Sequence, residues 1–237
     1  MRYPGAVANA IFQRARTAEN KRLRAEALME AARLLALEAG VASVTLTAVA
    51  DRAGVHHSAI RRYFTSHKEV LLHLAAEGWT RWAANVSKGL RVPGPMSPGR
   101  AAETLADGLA ADPLFCDLLA NVPLHLEHEV SIDRVVDFKR ISLAAFISIA
   151  DSIEHALPEL GRRGALDTVT AAYALAATLW QVAHPPEALA GAYADGRAVP
   201  PDWNLEFVRA LTRLLTATCV GLASGGPHGS AQRPTTT

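Results

Sequence analysis

Residues 45–64 (TLTAVADRAGVHHSAIRRYF) restrict the fold more than any other part of the chain. Gly54 can adopt the positive φ of a sharp turn, and Ala50 is small enough for two helices to cross closely there. Ile60 is spaced beyond the turn so that it can pack back onto Ala50 and Val49. We therefore expect two short helices joined by a tight turn, an arrangement that also occurs in ordinary pairs of core helices.

The polar residues of the second predicted helix lie on the side away from this contact. They are His56, His57, Ser58, Arg61 and Arg62. A short helix with such an outer face can enter the major groove of DNA, where basic and hydroxyl side chains meet base edges and phosphates. The motif alone is compatible with a DNA reader and with a purely structural helix pair.

The flanking sequence predicts a small helical domain around the motif and so favours the DNA reader. Residues 21–39 form a strong helix with one apolar stripe, made of Ala27, Leu28, Ala31, Leu34 and Leu35. Gly40 is a typical helix stop, and Thr45 is a good N-cap for the next helix. Ser66 can cap a further helix over about residues 67–88. The sequence therefore predicts three short helices around one core, with a fourth helix leading away.

In this region the chain resembles the TetR family of bacterial repressors. The family pattern is a helix ending in Gly, then T-x-x-x-(I/V)-A-x-x-A-G-V, a short recognition helix, an aromatic pair and a helix start containing Ser and Lys. The corresponding residues are Gly40, Thr45, Val49, Ala50, Ala53, Gly54, Val55, Tyr63, Phe64, Ser66, His67 and Lys68. Arg61 stands where the family commonly has Tyr, His67 where it commonly has Lys, and His56 where a capping Ser is usual.

The resemblance implies an all-α fold with a three-helix helix-turn-helix DNA-binding domain and a larger helical ligand-binding and dimerisation domain. We expect phosphate contacts from Thr45 and Thr47, and base-edge contacts from the helix that begins near His57. The full set of expected DNA contacts is Arg22, Arg24, Thr45, Thr47, His56, His57, Ser58, Arg61, Arg62, Tyr63, His67 and Lys68. Within it, His57, Ser58 and Arg61 are expected to approach base edges. Arg62, Tyr63 and Lys68 are expected to clamp the sugar-phosphate backbone.

Charge is distributed as a DNA-binding module attached to another domain requires. Residues 1–92 contain 14 Lys and Arg against 7 Asp and Glu, whereas the remainder contains 10 against 16. The whole chain carries only +1, so the basic part and the acidic part nearly cancel. Neutralisation of phosphates supplies most non-specific DNA affinity, and the basic part is the one that holds the motif.

Four segments are expected along the chain. Residues 1–20 are a basic flexible arm, 21–66 the DNA-binding domain, 67–223 the helical ligand-binding and dimerisation domain, and 224–237 a disordered tail. Proline- and glycine-rich breaks at 92–99 and 184–201 divide the larger domain. Its helices are predicted at 100–111, 113–121, 131–157, 165–183 and 203–223, which gives nine or ten helices in the chain.

The last two helices are expected to form a homodimer. The last one carries a stripe of Leu205, Val208, Leu211, Leu215, Thr218, Cys219 and Leu222, close to a coiled-coil seam. The helix before it is rich in alanine, which permits close approach. The alternative is that the stripe packs only inside its own subunit.

The second domain is expected to bind an unidentified, largely apolar small molecule as its effector. The candidate lining residues are Trp79, Trp82, Phe115, Phe138, Phe146, Tyr173 and Trp180, with His125 as a polar handle. Each is also an ordinary core residue type. Two further functions remain open: a ligand-independent DNA-binding dimer, and a helical carrier or enzyme with a vestigial DNA-reading head.

Several classes of site and location are not expected. The pair His125 and His128 is compatible with a metal ion but has no second pair of ligands nearby, and no catalytic motif occurs. We therefore expect no metal, no cofactor and no enzymatic activity. Cys116 and Cys219 are too far apart in sequence to suggest a disulfide scaffold, and the longest apolar stretch is short, so we expect a cytoplasmic protein without a membrane partner.

Overall fold

The computed structural model describes residues 4–92, 94–128, 130–198 and 206–224, and the regular elements in these ranges are helices. The ten α-helices are α1 (Pro4–Ala39), α2 (Leu46–Arg52), α3 (His57–Ile60), α4 (His67–Leu90), α5 (Pro98–Ala110), α6 (Pro113–Asn121), α7 (Ile132–Ala156), α8 (Gly161–Ala183), α9 (Glu187–Ala194) and α10 (Phe207–Ser224). A π-helical segment, Val122–Leu126, follows α6. The all-α fold is confirmed.

The first helix begins earlier than the sequence predicts. α1 runs from Pro4, so the helix includes residues 4–20, where the sequence predicts a basic flexible arm. Residues 6–39 contain no glycine or proline and are rich in alanine, so nothing interrupts the helix before Gly40. The disordered tail was predicted for residues 224–237. Ser224 ends α10, and the rest of that segment lies outside the described residues.

Helices α1, α2 and α3 pack around one small core, as predicted. Val49, Ala50 and Ile60 are buried there together with Leu28 and Phe64. The buried stripe of α1 is rotated slightly from the predicted one. Ala27 and Leu34, which belong to the predicted stripe, are exposed. Ala32 and Ala36, each one position after a residue of the predicted stripe, are buried.

The larger unit consists of α4 to α10. Its central helix, α4, packs against α7 and also against α5 and α6. Trp82 and Phe115 lie at the centre of its core, and the indole Nε1 of Trp82 donates a hydrogen bond to the Leu105 carbonyl at 3.2 Å. α10 lies against α5 and α8, and α8 also contacts α6 and α7. The core of this unit therefore joins all of the long helices around α4.

Two further differences from the predicted helices concern α8 and α9. α9 lies inside the segment predicted as a break, and α8 begins at Gly161, four residues before the predicted start. Pro186 occupies the N-cap position of α9, where its fixed φ starts a helix without costing a hydrogen bond. The prolines of this segment therefore separate α8 from α9 and leave the alanine-rich stretch after them helical.

The apolar stripe of α10 faces the inside of its own subunit. Leu211, Leu215 and Cys219 are fully buried, and α10 contacts α5 and α8 of the same chain. The expectation that these three residues meet a second subunit is therefore wrong, and Leu205 lies outside the described residues. Periodicity predicted the stripe correctly, but it cannot tell an internal partner helix from an external one.

One helix in the described ranges is long and apolar enough to cross a membrane by length and composition. It is α10, Phe207–Ser224. One face of this helix packs against α5 and α8, and 28% of the segment is buried inside the protein.

Gly78 in α4 makes the central packing possible, because a Cβ at this position would overlap the Phe115 ring. We expect Gly78→Ala to lower the free energy of unfolding by about 1–3 kcal/mol. The added methyl group would push the Phe115 ring out of its position or separate α4 from α6. Urea denaturation followed by circular dichroism measures this.

The matched control is Gly191→Ala in α9, where no atom lies within 4 Å of the added Cβ. This variant should be neutral or slightly stabilising, since alanine favours a helix over glycine. Equal effects of the two substitutions would contradict the packing role of Gly78.

Candidate nucleic-acid interface and apolar cavity

The turn between α2 and α3 is fixed by backbone hydrogen bonds. The amide of Val55 donates to the Ala50 carbonyl at 2.9 Å, and the amide of Gly54 donates to the Asp51 carbonyl at 3.1 Å. Gly54 has φ of 65°, the left-handed conformation that glycine adopts without strain. With Ile60 buried against α2, the opposite side of α3 must face solvent.

His56 caps the N-terminus of α3 with its imidazole ring. Its Nδ1 accepts a hydrogen bond from the Ser58 amide at 3.2 Å and lies 2.9 Å from the Ser58 hydroxyl. The amide can only donate, so Nδ1 is unprotonated and the ring proton is on Nε2. The ring thus replaces the usual capping serine while keeping an N–H donor on its far side.

The three residues predicted to contact DNA bases, and Arg62 of the predicted backbone contacts, lie on this exposed surface. His57, Ser58, Arg61 and Arg62 are exposed, and within the described residues no carboxylate pairs with Arg61 or Arg62. His57 Nε2 lies 3.6 Å from Asp51 Oδ1 on α2. The outer face of α3 therefore offers two guanidinium groups and several neutral hydrogen-bonding groups at one place.

Several of the predicted backbone contacts lie at the starts of α2 and α4, the helices before and after α3 in the chain. Thr45 and Thr47 are exposed at the start of α2, where the Thr45 hydroxyl also accepts from the Ala48 amide at 3.1 Å. His67 is exposed at the start of α4, and Tyr63 and Lys68 are half-buried. The predicted residues at the starts of α2 and α4 therefore keep side-chain surface in contact with solvent.

The arginines of α1 are less free to bind phosphate than the sequence suggests. Arg22 hydrogen-bonds to Glu19 at 2.6 Å and to Glu26 at 2.5 Å, and these carboxylates raise the pKa of its guanidinium. The same contact with Arg22 lowers the pKa of Glu19. Arg24 is exposed. Arg22 must exchange a carboxylate for a phosphate before it can contact DNA, whereas Arg61 and Arg62 need not.

The buried carboxylate of Glu69, which the sequence analysis did not predict as a site, connects Thr65 at the end of the helix-turn-helix region to Arg134 on α7. Glu69 in the first turn of α4 is only 2% exposed. It accepts hydrogen bonds from the amide and the hydroxyl of Thr65, at 2.7 and 2.8 Å, while Arg134 Nε of α7 lies 2.7 Å from its other oxygen. Ser66 completes the cap by accepting from the Glu69 amide. The Ser-x-x-Glu spacing signals this cap, but nothing local signals Arg134.

An apolar cavity of about 400 Å³ opens between α4, the π-helical segment, α7 and α8. Four of the predicted lining residues meet there: Trp79, Phe138, Phe146 and Tyr173. The ring centroids of Trp79 and Tyr173 are 5.5 Å apart, and those of Tyr173 and Phe146 are 6.4 Å apart. Leu119, Val122, Pro123 and Leu143 complete its apolar wall. This volume is in the range of small-molecule sites.

The other four predicted lining residues lie elsewhere. Trp82 and Phe115 are buried against each other in the packed core, with ring centroids 6.2 Å apart. Trp180 stacks on His184 and packs edge-on against Phe207. His125 is exposed and does not line the cavity. The cavity's polar lining residues are instead Glu127, Lys139 and Ser142, which sequence reasoning missed.

Comparison with known families assigns both units. A model described as "Bacterial regulatory proteins, tetR family" matches residues 28–74, and one described as "Tetracyclin repressor-like, C-terminal domain" matches residues 76–225. The chain belongs to the TetR family. It is a TetR-family transcriptional regulator with a helix-turn-helix DNA-binding domain, as the motif around Gly54 predicted. The boundary between the two matched domains falls inside α4.

Several solved structures are similar to this chain at low sequence identity. FadR from Bacillus halodurans, a fatty acid degradation regulator, is 15% identical with a TM-score of 0.50, and the match covers 87% of this chain and 97% of that protein. The regulatory protein SCO4313 is 16% identical with a TM-score of 0.55, over 86% and 98% of the two chains. A TetR/AcrR-family regulator from Thermobifida fusca is 17% identical with a TM-score of 0.48, over 81% and 96%. No curated protein matches the sequence.

The imidazole cap of α3 can be tested by substitution at His56. His56→Ala should lower the free energy of unfolding by about 0.5–2 kcal/mol, because the amide at the start of the helix loses its acceptor. His56→Ser should retain most of the stability, because a hydroxyl can accept the same hydrogen bond. Chemical denaturation of the three proteins measures the difference, and equal losses in both variants would contradict the capping role.

Proposed function

We propose that the protein is a cytoplasmic, homodimeric repressor that binds a palindromic operator and is released from it by a small, largely apolar effector. The observation that carries the proposal is the outer face of α3, where Arg61 and Arg62 project without carboxylate partners in the described residues. Membership of the TetR family supports the same role, since ligand-responsive repression is typical of that family.

The arrangement of the surface supports different DNA contacts for its residues, some to bases and some to phosphates. Arg61 ends α3 and, with His57 and Ser58, is assigned to base edges in the major groove. Thr45, Thr47, Arg62, Tyr63 and Lys68 are assigned to the phosphates on either side. His56 adds its Nε2–H, while His67, Arg22 and Arg24 are assigned to more distant phosphates.

A homodimer is needed because one four-residue helix reads too few base pairs for useful specificity. The outer faces of α8 and α10 are suited to this contact. Val182 on α8 is 40% exposed and Val220 on α10 is 49% exposed, among exposed small residues such as Ala174, Ala217 and Gly221. Small residues let helices approach closely, so we assign the dimer to these faces and not to the buried stripe of α10.

Release by an effector is supported by the double role of α7. This helix contributes Phe138, Ser142 and Phe146 to the cavity, and one turn before Phe138 it contributes Arg134 to the buried carboxylate of Glu69. Glu69 in turn holds Thr65, next to the end of the helix-turn-helix unit. A ligand that shifts α7 therefore shifts the anchor of the DNA-binding domain.

The decisive experiment is selection of bound sequences from a random duplex pool. A palindromic consensus with half-sites about one helical turn apart is expected from a dimer with two reading helices. On that operator, Arg61→Ala should cost about 1–3 kcal/mol and relax one base position. Arg62→Ala is the matched control. It should weaken binding to operator and random duplex alike and reduce the salt dependence by about one counterion.

Two results would contradict these assignments. If no sequence is enriched, the DNA-reading role of α3 fails. If Arg61→Ala weakens random duplex as much as operator, Arg61 contacts phosphate and does not read bases.

The anchor between the units can be tested by a double-mutant cycle on operator affinity. Glu69→Gln and Arg134→Met should each weaken operator binding by about 1–2 kcal/mol, and the double variant should be no worse than either single one. Arg140→Met is the control, since Arg140 lies on the same helix in an exposed pair with Asp137 at 3.4 Å. Additive losses, or full affinity in both single variants, would show that the pair does not hold the DNA-binding domain.

A further inference from the structure

The apolar cavity is lined by a carboxylate that depends on a single charged partner. Glu127 follows the π-helical segment, and its side chain is 22% exposed. Its Oε1 is completely buried, and among the described residues the ammonium of Lys139 is the group that pairs with this oxygen. Burial of a carboxylate oxygen among aromatic rings is unfavourable unless a cation or donor lies beside it.

Lys139 of α7 supplies that cation from the cavity mouth. Its Nζ lies 2.6 Å from Glu127 Oε1 and 5.8 Å from the centroid of the Phe138 ring. An ammonium group between a carboxylate and the face of an aromatic ring is the usual environment of a bound organic cation. The rest of the wall, with Trp79, Phe146 and Tyr173, offers further ring surface.

The two partners differ in how easily they can leave this contact. Lys139 is 58% exposed on a flexible four-carbon stem, so its ammonium can move into water at little cost. Glu127 is mostly buried and has no comparable route to solvent. If Lys139 swings away, the carboxylate remains and requires a new cation. An anionic ligand, in contrast, would have to bind Lys139 beside a buried negative charge.

We propose that the effector is an apolar cation, with an ammonium group on an aliphatic or aromatic body, and that Lys139 holds the position this ammonium takes. The inference rests on the proposed function and names the chemical class of its effector. The Glu127–Lys139 pair ties α7 to the π-helical segment. When the ligand replaces Lys139, the contact between α7 and Glu127 is lost, and α7 can move. This helix also carries Arg134, which pairs with Glu69.

The test uses three ten-carbon probes that differ only in their head group: decyltrimethylammonium, decan-1-ol and decanoate. Each is titrated calorimetrically into the full chain below its micelle-forming concentration. The ammonium should bind at least about tenfold more tightly than the alcohol, and decanoate most weakly. Glu127→Gln should reduce ammonium affinity to that of the alcohol. Lys139→Met, which keeps an unbranched stem and removes the competing charge, should increase it.

Lys88→Met is the matched control, because Lys88 is an exposed lysine of α4 that does not line the cavity. This variant should bind all three probes as the unchanged protein does. Tightest binding of decanoate, with loss of that binding in Lys139→Met, would overturn the proposal in favour of an anion site. Equal affinity for the three probes, or no binding of the ammonium, would also overturn it. Operator selection measures the repressor function separately, so failure of the cation does not imply failure of the repressor.

Discussion

α4 runs through one continuous hydrophobic core that joins the DNA-binding domain to the larger domain, and the rest of the structure depends on this helix. Its first turn carries Glu69, which holds the end of the DNA-binding domain, and its middle carries Gly78 and Trp79, which touch the core and the cavity. A helix of 24 residues is about 36 Å long and behaves as a stiff rod. A displacement at its middle must therefore appear at its start, where the DNA-reading unit is attached.

Local features of the DNA-binding domain could be predicted because they depend on few neighbouring residues. Gly54 sets the turn through its own backbone conformation, and the spacing of Ala50 and Ile60 sets the contact between the two helices. The hydrogen bond by which His56 caps α3 could not be predicted from the sequence, because the geometry of the ring decides whether an imidazole can replace a serine hydroxyl. The buried stripe of α1 was predicted to within one position, which is the limit of a periodicity argument.

Features that join distant segments could not be predicted in the same way. Trp82 and Trp79 are similar in sequence terms, yet one is core and the other lines the cavity, with Phe115 packed between Gly78 and the two indoles. The pairing of Glu127 with Lys139 and of Glu69 with Arg134 depends on how α7 lies on its neighbours. The inward face of α10 likewise depends on α5, which lies more than ninety residues earlier in the chain.

The ion pairs of the N-terminal region neutralise several of its positive charges. Arg22, Arg52 and Arg81 bind carboxylates within that region or close to it, so their charges largely cancel at a distance. Arg61 and Arg62, at the tip of the DNA-binding domain, have no carboxylate partner in the described ranges. Two guanidinium groups without carboxylate partners in the described ranges therefore lie together on α3, whereas residues 93–237 contain more Asp and Glu than Lys and Arg. Positive charge gathered on one small surface raises the rate of encounter with a polyanion, and this effect weakens as the salt concentration increases.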